Sequence, residues 1–351
     1  MTSHSVDTVI VGGGLAGLTL AWQLIARKQT IAVIDAPMIG QASTVAAGLI
    51  TPITGKNLKP EPGFKELQET AEAFYAGIEN VLAIELYRKR PAFRRLSELK
   101  TIDRWGSDDN NLKQFAEITT HPTSLQTESR DIVIEMPLAG RLNTQRYLKH
   151  TEAHFTREGL WKKGQLRDAD LEINQDSIHL QKFGLTASRV IFCRGWRDQA
   201  NPWFKQVSWR PARGQIIVIE APDLANSHTL HGQGIWVTHD RDQRFFCGAT
   251  YEWDGFENEP SEQASTILVE KLKRLITPAF DVVDQFAGVR PIVSARKPLA
   301  GLCTTEPRIG LFNGLGSKGA LYAPMLAKHF ADHITDGTPI PTRFDVNQRF
   351  D

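Results

Sequence analysis

The stretch Thr8-Val-Ile-Val-Gly-Gly-Gly-Leu-Ala-Gly17 decides how the rest of the chain is interpreted. Within it an apolar run leads into the pattern Gly-x-Gly-x-x-Gly, and a helical pattern follows to about Arg27. A second apolar run from Thr30 to Ile34 ends at Asp35. This order of strand, glycine turn, helix, strand and acid is the fingerprint of a dinucleotide site, in contrast to a merely structural glycine turn.

Each part of this motif suits one part of a dinucleotide. Gly12 permits the tight turn, Gly14 lets a pyrophosphate approach the backbone, and Gly17 lets helix and strand pack closely. The helix start offers free N–H groups and a partial positive charge to phosphate. Asp35 can accept hydrogen bonds from the adenosine ribose. The predicted contacts of this segment are Gly12, Gly14, Leu15, Ala16, Gly17, Asp35 and Ala36.

Composition limits the classes of partner and location. A length of 351 residues suggests roughly two domains, and 41 basic against 40 acidic side chains argue against nucleic-acid or membrane binding by bulk charge. No apolar run has the length of a membrane helix, and the polar first seven residues predict that no secretory signal precedes the fold. Three widely spaced cysteines show no metal spacing and fit a reducing interior. We therefore expect a cytoplasmic protein without a metal site.

The segment after Asp35 is rich in small residues from Gly40 to Pro52. Ser43 and Thr44 can bind phosphate oxygens, and Gly48 allows a close approach of the backbone. By itself the segment is typical of a capped small-residue helix, but its position after a dinucleotide strand predicts a second loop over a large cofactor. The predicted contacts are Ser43, Thr44, Ala46, Ala47, Gly48 and Leu49.

Hydrophobic periodicity predicts an α/β fold in which a Rossmann-like cofactor domain is interleaved with an α+β substrate domain built on an antiparallel sheet. The cofactor domain takes residues 1–58, 136–206 and 288–351, and the substrate domain takes 59–135 and 207–287. Helices are predicted at 64–86, 143–157, 261–275 and 319–333. Strands are predicted at 100–104, 132–134, 171–173, 178–181, 189–194, 215–220, 234–238, 244–250 and 308–313.

A second Gly-x-Gly-x-x-Gly pattern spans Gly314 to Gly319. A second Rossmann unit would need another apolar strand ending in an acid about 20 residues later. Here the helix ends near Asp336 and the remaining tail is short and rich in proline, so this interpretation fails. The pattern still opens a helix, and Lys318 adds a cation there, either for a reduced flavin edge or as a solvated surface lysine.

Together the sequence segments described above resemble those of the D-amino-acid oxidase and glycine oxidase group of FAD-dependent amine oxidoreductases. The Gly314–Gly319 segment, with the Ala323-Pro324 pair that follows it, also resembles the oxidase half of the bacterial enzyme that trims carboxymethylaminomethyl-uridine in tRNA. The resemblance covers most of the chain through its order and spacing. Its landmarks are Gly12–Gly17 with Asp35, Ser43–Gly48, Val190–Trp196, Pro211–Gln215, Gly288–Pro291 and Gly314–Gly319.

The resemblance implies bound FAD, with adenosine on Asp35 and pyrophosphate on the first glycine turn. The isoalloxazine ring would lie against Ala46–Gly48 and the start of the last helix. A backbone contact to adenine is implied near Leu166. The further implied contacts are Gly195, Trp196, Gly314, Leu315, Gly316, Ser317, Lys318 and Gly319. Cys303 lies in the region where some relatives attach flavin covalently, but a buried thiol is favoured.

The resemblance also implies that Arg290, in Gly-Val-Arg-Pro, clamps a substrate carboxylate by two parallel hydrogen bonds. The alternative is an arginine in a structural salt bridge. Trp236 and Tyr251 are expected either to roof the substrate pocket or to pack in the sheet. Ser317 stands where some glycine oxidases carry a second arginine.

The function implied is oxidation of the C–N bond of an amino acid or N-substituted glycine, by hydride transfer to flavin N5 and hydrolysis of the imine. The electrons would then pass to oxygen or another acceptor, and Lys318 could aid oxygen reduction. The alternatives are oxidation of a large secondary amine such as a modified tRNA base, and a flavin-binding protein without turnover. Nucleic acid is disfavoured by the near-neutral charge.

Overall fold

The structure is a computed structural model that describes residues 4–55, 57–107, 111–120, 122–257 and 259–348. Its helices are α1 Leu15–Ala26, α2 Ala42–Val45, α3 Phe64–Leu82, α4 Leu99–Ser107, α5 Thr144–Arg157, α6 Glu262–Lys273 and α7 Gly319–Asp336. Its strands are β1 His4–Val11, β2 Ile31–Asp35, β3 Leu49–Ile50, β4 Ile53–Thr54, β5 Lys59–Pro60, β6 Tyr87–Lys89, β7 Ala92–Leu96, β8 Glu117–Ile118, β9 Ile132–Met136, β10 Gly140–Leu142, β11 Trp161–Lys163, β12 Glu172–Ile173, β13 Ile178–Leu180, β14 Leu185–Phe192, β15 Ala212–Glu220, β16 Thr229–Gly232, β17 Ile235–Arg241, β18 Arg244–Gly248, β19 Asp281–Arg290, β20 Leu299–Leu302 and β21 Ile309–Asn313.

The first sheet is a parallel Rossmann-like sheet with an antiparallel margin. Strands run in the order β11-β2-β1-β14-β13-β12, and β21 pairs in parallel with β14 and carries β20 on its other side. β1, β2, β11, β14 and β21 are parallel to one another, so their carboxyl ends share one edge, where open α/β sheets bind ligands. The apolar runs predicted around the first glycine motif are these buried central strands, as expected for a sheet covered on both faces.

The second sheet holds its strands in the order β19-β15-β18-β17-β16-β7-β9-β8 and is antiparallel except where β16 meets β7. Its members come from two stretches that are far apart in sequence. β15 and β19 pair along almost their whole length, from Ala212 opposite Arg290 to Glu220 opposite Asp281. The predicted α/β class is therefore confirmed, while the division into the five stated segments stays a prediction.

α1, α5 and α7 pack on the first sheet, where each buries an apolar stripe, whereas α6 packs on the second sheet. α1 lies beside α7, and both belong to one core cluster with α3 and α5. The predicted cap at Asn143 is present, since its side chain accepts a hydrogen bond of 3.0 Å from the Arg146 amide. No helix in the described ranges has the length and apolar character that crossing a bilayer requires.

Two sequence predictions of local structure are corrected. Residues 100–104 were predicted as a strand but lie in α4, where Thr101 and Trp105 are buried one helical turn apart. The helix predicted to about residue 86 ends at Leu82, because Ala83 adopts the left-handed conformation that terminates it. The short strands β7 and β11 were not predicted, since each has few residues and little alternation.

Candidate active site

The first glycine turn is packed backbone to backbone. Gly12 has a φ of +117°, and a Cβ there would lie 2.4 Å from the carbonyl oxygen of Cys193 at the end of β14. A Cβ at Gly17 would lie 1.9 Å from the carbonyl oxygen of Gly12. Any side chain at these positions would therefore collide with main chain, so the glycines are a steric requirement of the turn.

The start of α1 faces the small-residue loop. Gly14 is the N-cap and has no side chain to satisfy the helix amides. Ser43 accepts a hydrogen bond of 3.0 Å from the Leu15 amide, so it caps α1 from a distant segment. Thr44 donates its hydroxyl hydrogen to the Gln41 carbonyl at 2.8 Å, which stabilises the short helix α2.

Asp35 lies at the carboxyl end of β2 as predicted. Burial raises the pKa of its carboxyl group, although the amides of Gly13 and Ala36 act in the opposite direction. No described cation forms an ion pair with it. A partly buried carboxylate without a counter-ion is suited to accept hydrogen bonds from neutral hydroxyl groups, as a ribose provides.

Trp161 on β11 lies beside the first glycine turn and was missed by the sequence analysis. A Cβ at Gly13 would lie 2.3 Å from its ring, so the indole covers the turn directly. β11 pairs in parallel with β2, with Trp161 opposite Val33. A signal existed in the sequence, since Leu160 and Trp161 form an apolar pair between Gly159 and Gly164.

The small-residue loop is held in place by polar groups of β10 and α5. The Arg141 Nε–H donates to the Ala47 carbonyl at 2.8 Å, and the Thr144 hydroxyl donates to the Ala46 carbonyl. Gly48 has a φ of +71°, and a Cβ there would lie 1.9 Å from the Leu142 carbonyl oxygen. Arg141 and Thr144 were not predicted, because their role depends on a contact about 95 residues away in sequence.

These elements enclose a cavity of about 730 Å³, which we call the inner cavity. It runs from the first glycine turn and Asp35 along the small-residue loop to Trp236 and Arg290. The predicted residues that line it are Gly12, Gly14, Leu15, Ala16, Asp35, Ala36, Ser43, Thr44, Ala46, Ala47, Gly48, Leu49, Leu166, Gly195, Trp196, Trp236, Arg290, Leu315, Gly316, Ser317 and Gly319. Gly17 packs behind the turn, and Cys303 is buried in a separate core cluster.

Arg290 lies at the end of the inner cavity opposite Asp35. Its guanidinium donates to the carbonyl oxygens of Thr250 and Arg213, each at 3.3 Å, and stacks 4.6 Å from the centre of the Tyr251 ring. It lies flat over Gly214, where a Cβ would be 2.2 Å from Nη2. Burial lowers the pKa of Arg290, and no described carboxylate forms an ion pair with it. The predicted structural salt bridge is therefore not observed among the described residues.

A second cavity of about 1440 Å³, the outer cavity, adjoins the first. Trp236, Leu315 and Ser317 line both. Of the other predicted residues, Gly314, Lys318 and Tyr251 line only the outer cavity, and Tyr251 is 52% exposed.

Lys318 caps the start of α7 and forms an ion pair with Glu61. Tyr322, one helical turn later, donates its hydroxyl hydrogen to the same carboxylate. Glu61 is buried, with 8% of its side chain exposed, so both donors compensate a charge inside the protein. The predicted position of Lys318 at a flavin edge remains a prediction, since its ammonium group faces Glu61 and the outer cavity.

Comparison with known proteins identifies the family. Residues 7–333 match the family model described as FAD dependent oxidoreductase (DAO). The chain belongs to this family of FAD-dependent oxidoreductases. It is therefore an enzyme, and FAD is its cofactor.

Proteins of known sequence or structure align with most of this chain. Glycine oxidase from Bacillus licheniformis is 22% identical over 96% of this chain and 95% of its own length. The tRNA 5-methylaminomethyl-2-thiouridine biosynthesis bifunctional protein MnmC from Maricaulis maris is 25% identical over 94% of this chain, which spans 52% of that protein. The crystal structure of glycine oxidase from Bacillus cereus superimposes with a TM-score of 0.80 at 18% identity, covering 95% of this chain and 96% of that one.

The residues present fit FAD. The glycine turn carries no side chains that would block a pyrophosphate, and Asp35 is a partly buried acceptor with no counter-ion among the described residues. Trp196 Nε1 is buried and has no hydrogen-bond partner in the described structure, so a cofactor atom could accept its hydrogen. Among the described residues, no cluster of three or more His, Cys, Asp or Glu side chains could hold a metal ion.

Proposed function

We propose that this enzyme oxidises the C–N bond of an amino acid or N-substituted glycine whose carboxylate binds Arg290. The observation that carries the proposal is a partly buried guanidinium in the inner cavity that forms no ion pair with the described carboxylates. Two carbonyl bonds and the Tyr251 ring fix its plane while its remaining N–H groups stay available. A planar guanidinium with free donors is suited to bidentate carboxylate recognition.

The chain contributes orientation and charge to the reaction. Bound FAD supplies the redox chemistry, taking up hydride from the substrate carbon and passing electrons to oxygen or another acceptor. Arg290 would fix the carboxylate, and Trp236 would limit the position of the amine at the opposite wall. The described residues that line this end of the inner cavity include no histidine or carboxylate, so the ammonium form would have to lose its proton to water before binding, and the amine would arrive neutral.

The test is anaerobic mixing of the FAD-loaded enzyme with amino acids and N-alkyl glycines while the flavin absorbance is followed. One class of amine should bleach the flavin. Arg290→Ala should weaken binding of that substrate about 10- to 100-fold, the usual effect of losing hydrogen bonds to a charged group. Reduction of the flavin by dithionite should not change. Gly214→Ala should weaken binding as well, because its Cβ displaces the guanidinium. Equal substrate affinity in wild type and Arg290→Ala would contradict the carboxylate clamp.

A large secondary amine is the second candidate, and the outer cavity favours it. The two cavities share Trp236, and the outer one is the larger. A substrate with a bulky arm could react in the inner cavity and extend into the outer one. Bleaching by dithionite but by no small amine in the panel would favour this candidate over the first.

A further inference from the structure

The outer cavity contains a cation that the proposed reaction does not use. Arg94 on β7 lines this cavity and is partly buried. Its guanidinium donates to the carbonyl oxygens of Ile53 at 3.3 Å and Gly55 at 2.5 Å. Burial alone lowers its pKa to about 10, and no described carboxylate forms an ion pair with it. Arg94 is therefore a fixed positive charge whose remaining N–H groups have no acidic partner in the described chain.

His231 lies next to Arg94 and is also incompletely satisfied. Its Nε2 atom is buried and has no hydrogen-bond partner among the described residues, and the ring lines the outer cavity. Burial and the charge of Arg94 lower the pKa of His231 to about 3, so the imidazole is neutral at physiological pH. A neutral imidazole can donate one hydrogen bond, which an anion beside Arg94 could accept.

Strand register connects this pair to the reacting end. Arg94 on β7 is opposite His231 on β16, and His231 is opposite Trp236 on β17. Residues opposite each other on neighbouring strands project from the same face of a sheet. The three side chains therefore form a row, and Arg94 lies two strand spacings, about 10 Å, from the backbone of Trp236.

The acidic residues that line the outer cavity leave this charge unbalanced. Glu61 accepts from Lys318 and Tyr322, and Glu252 forms an ion pair with Arg213. Glu98 is exposed and has no ion pair with Arg94. A ligand that supplies the opposite charge would therefore stabilise this partly buried cation, which has only carbonyl partners among the described residues.

We propose that the outer cavity binds an anionic group, a carboxylate or phosphate, at the far end of the substrate, with Arg94 and His231 as its partners. The reacting amine would then lie on the inner side of Trp236 and the anionic arm on the outer side. This inference rests on the proposed function for the position of the reacting end. It predicts a substrate with two separated anionic groups, one on Arg290 and one on Arg94.

Binding of non-oxidisable alkoxyacetates to the FAD-loaded enzyme tests this inference. These ligands carry the carboxylate head but no amine, so their affinity is measured without turnover, by flavin absorbance or calorimetry. A series of increasing chain length would end in a methyl, carboxylate or phosphonate group. At one length the anionic ends should bind about tenfold more tightly than the methyl end, the usual strength of a charged hydrogen bond. A comparison of the two anionic series separates a carboxylate site from a phosphate site.

Variants test whether Arg94 provides this gain in affinity. Arg94→Gln should abolish the difference in affinity between ligands with anionic and methyl ends, and Arg94→Lys should keep part of it. Arg157→Gln, at an exposed side chain of α5, should leave the difference unchanged. Arg290→Ala should weaken all ligands equally, so failure of the carboxylate clamp is seen separately from failure of the outer site. An undiminished gain in Arg94→Gln, or no gain at any length, would overturn the inference. Binding of inorganic phosphate that requires Arg94, without any gain from an anionic tail, would indicate a free anion and also overturn it.

Discussion

The two Gly-x-Gly-x-x-Gly segments of this chain share their letters but differ in structure. In the first, Gly12–Gly17, glycines are enforced by main-chain contacts, and the helix leads into the parallel strand β2 with Asp35 at its end. In the second, Gly314–Gly319, the first two glycines have φ values of +77° and +55°. A Cβ at Gly319 would come closest to the flexible end of Leu15, at 2.9 Å, with Leu315 at ordinary contact distance.

The elements that surround the motif therefore decide which structure it forms. The first segment joins β1 to α1 in a crossover between two parallel strands, so its amides point to the edge where a dinucleotide binds. The second opens α7, which packs on α1 and has no further parallel strand after it in the described chain. Its residues line the junction of the inner and outer cavities instead.

Substitution of the third glycine in each motif should give the largest contrast. Gly17→Ala places a methyl group 1.9 Å from main chain and should destabilise the protein by about 3 kcal/mol or more, with loss of bound FAD. Gly319→Ala displaces only a leucine side chain and should cost less than about 1 kcal/mol. Thermal unfolding and the FAD content of the purified variants measure both effects.

A matched control for these two variants is Gly77→Ala in the exposed part of α3. A Cβ there meets nothing within 4 Å, so alanine should stabilise the helix by up to about 1 kcal/mol. Equal losses of stability and FAD in Gly17→Ala and Gly319→Ala would show that the two motifs are equivalent, against the contrast drawn above.

Asp35 is the feature of the first motif that the second lacks. Asp35→Asn should weaken FAD binding about tenfold, because an amide accepts hydrogen bonds from hydroxyl groups less strongly than a carboxylate does. Titration of the apoprotein with FAD measures this dissociation constant. Asp35→Glu, which keeps the charge, is the control and should lose less affinity than Asp35→Asn.

The same variant should change how the stability of the apoprotein depends on pH. Because burial raises the folded-state pKa of Asp35, the folded apoprotein holds this proton more tightly than the unfolded chain does. The free energy of unfolding should therefore fall as pH rises from the ordinary aspartate pKa through the raised one, and Asp35→Asn should lack this fall. Urea unfolding at a series of pH values tests it, and parallel pH profiles would refute it.

Lys318 should give a small effect and tests what the second motif contributes. Lys318→Met removes one of two donors to buried Glu61, and Tyr322 still donates, so the loss should be about 1 kcal/mol. In Lys318→Met/Glu61→Gln the two losses should not add, because the pair is coupled. Unchanged oxygen consumption with normal flavin reduction in Lys318→Met would count against a role of this lysine in oxygen reduction.

Sequence reasoning succeeded where neighbouring residues are sufficient to define structure. The first motif fixes strand, turn, helix and acid within about 30 residues, and the structure has each element in that order. It failed at residues 100–104, where a short segment has no strong period and burial of Trp105 selects a helix. It also missed Trp161, because a three-residue strand is defined by its neighbour β2 more than by its own composition.

The sequence by itself determined the location of the first glycine turn, since that turn depends on local backbone geometry, and its resemblance to a known family implied the family and the cofactor. Only the tertiary structure decided that Lys318 faces Glu61, and that Arg290 is stacked on Tyr251 and forms no ion pair among the described residues. The row from Arg94 to Trp236 likewise exists only in the folded sheet, because β7 comes from a distant part of the chain and pairs with β16 in a register that no local pattern specifies.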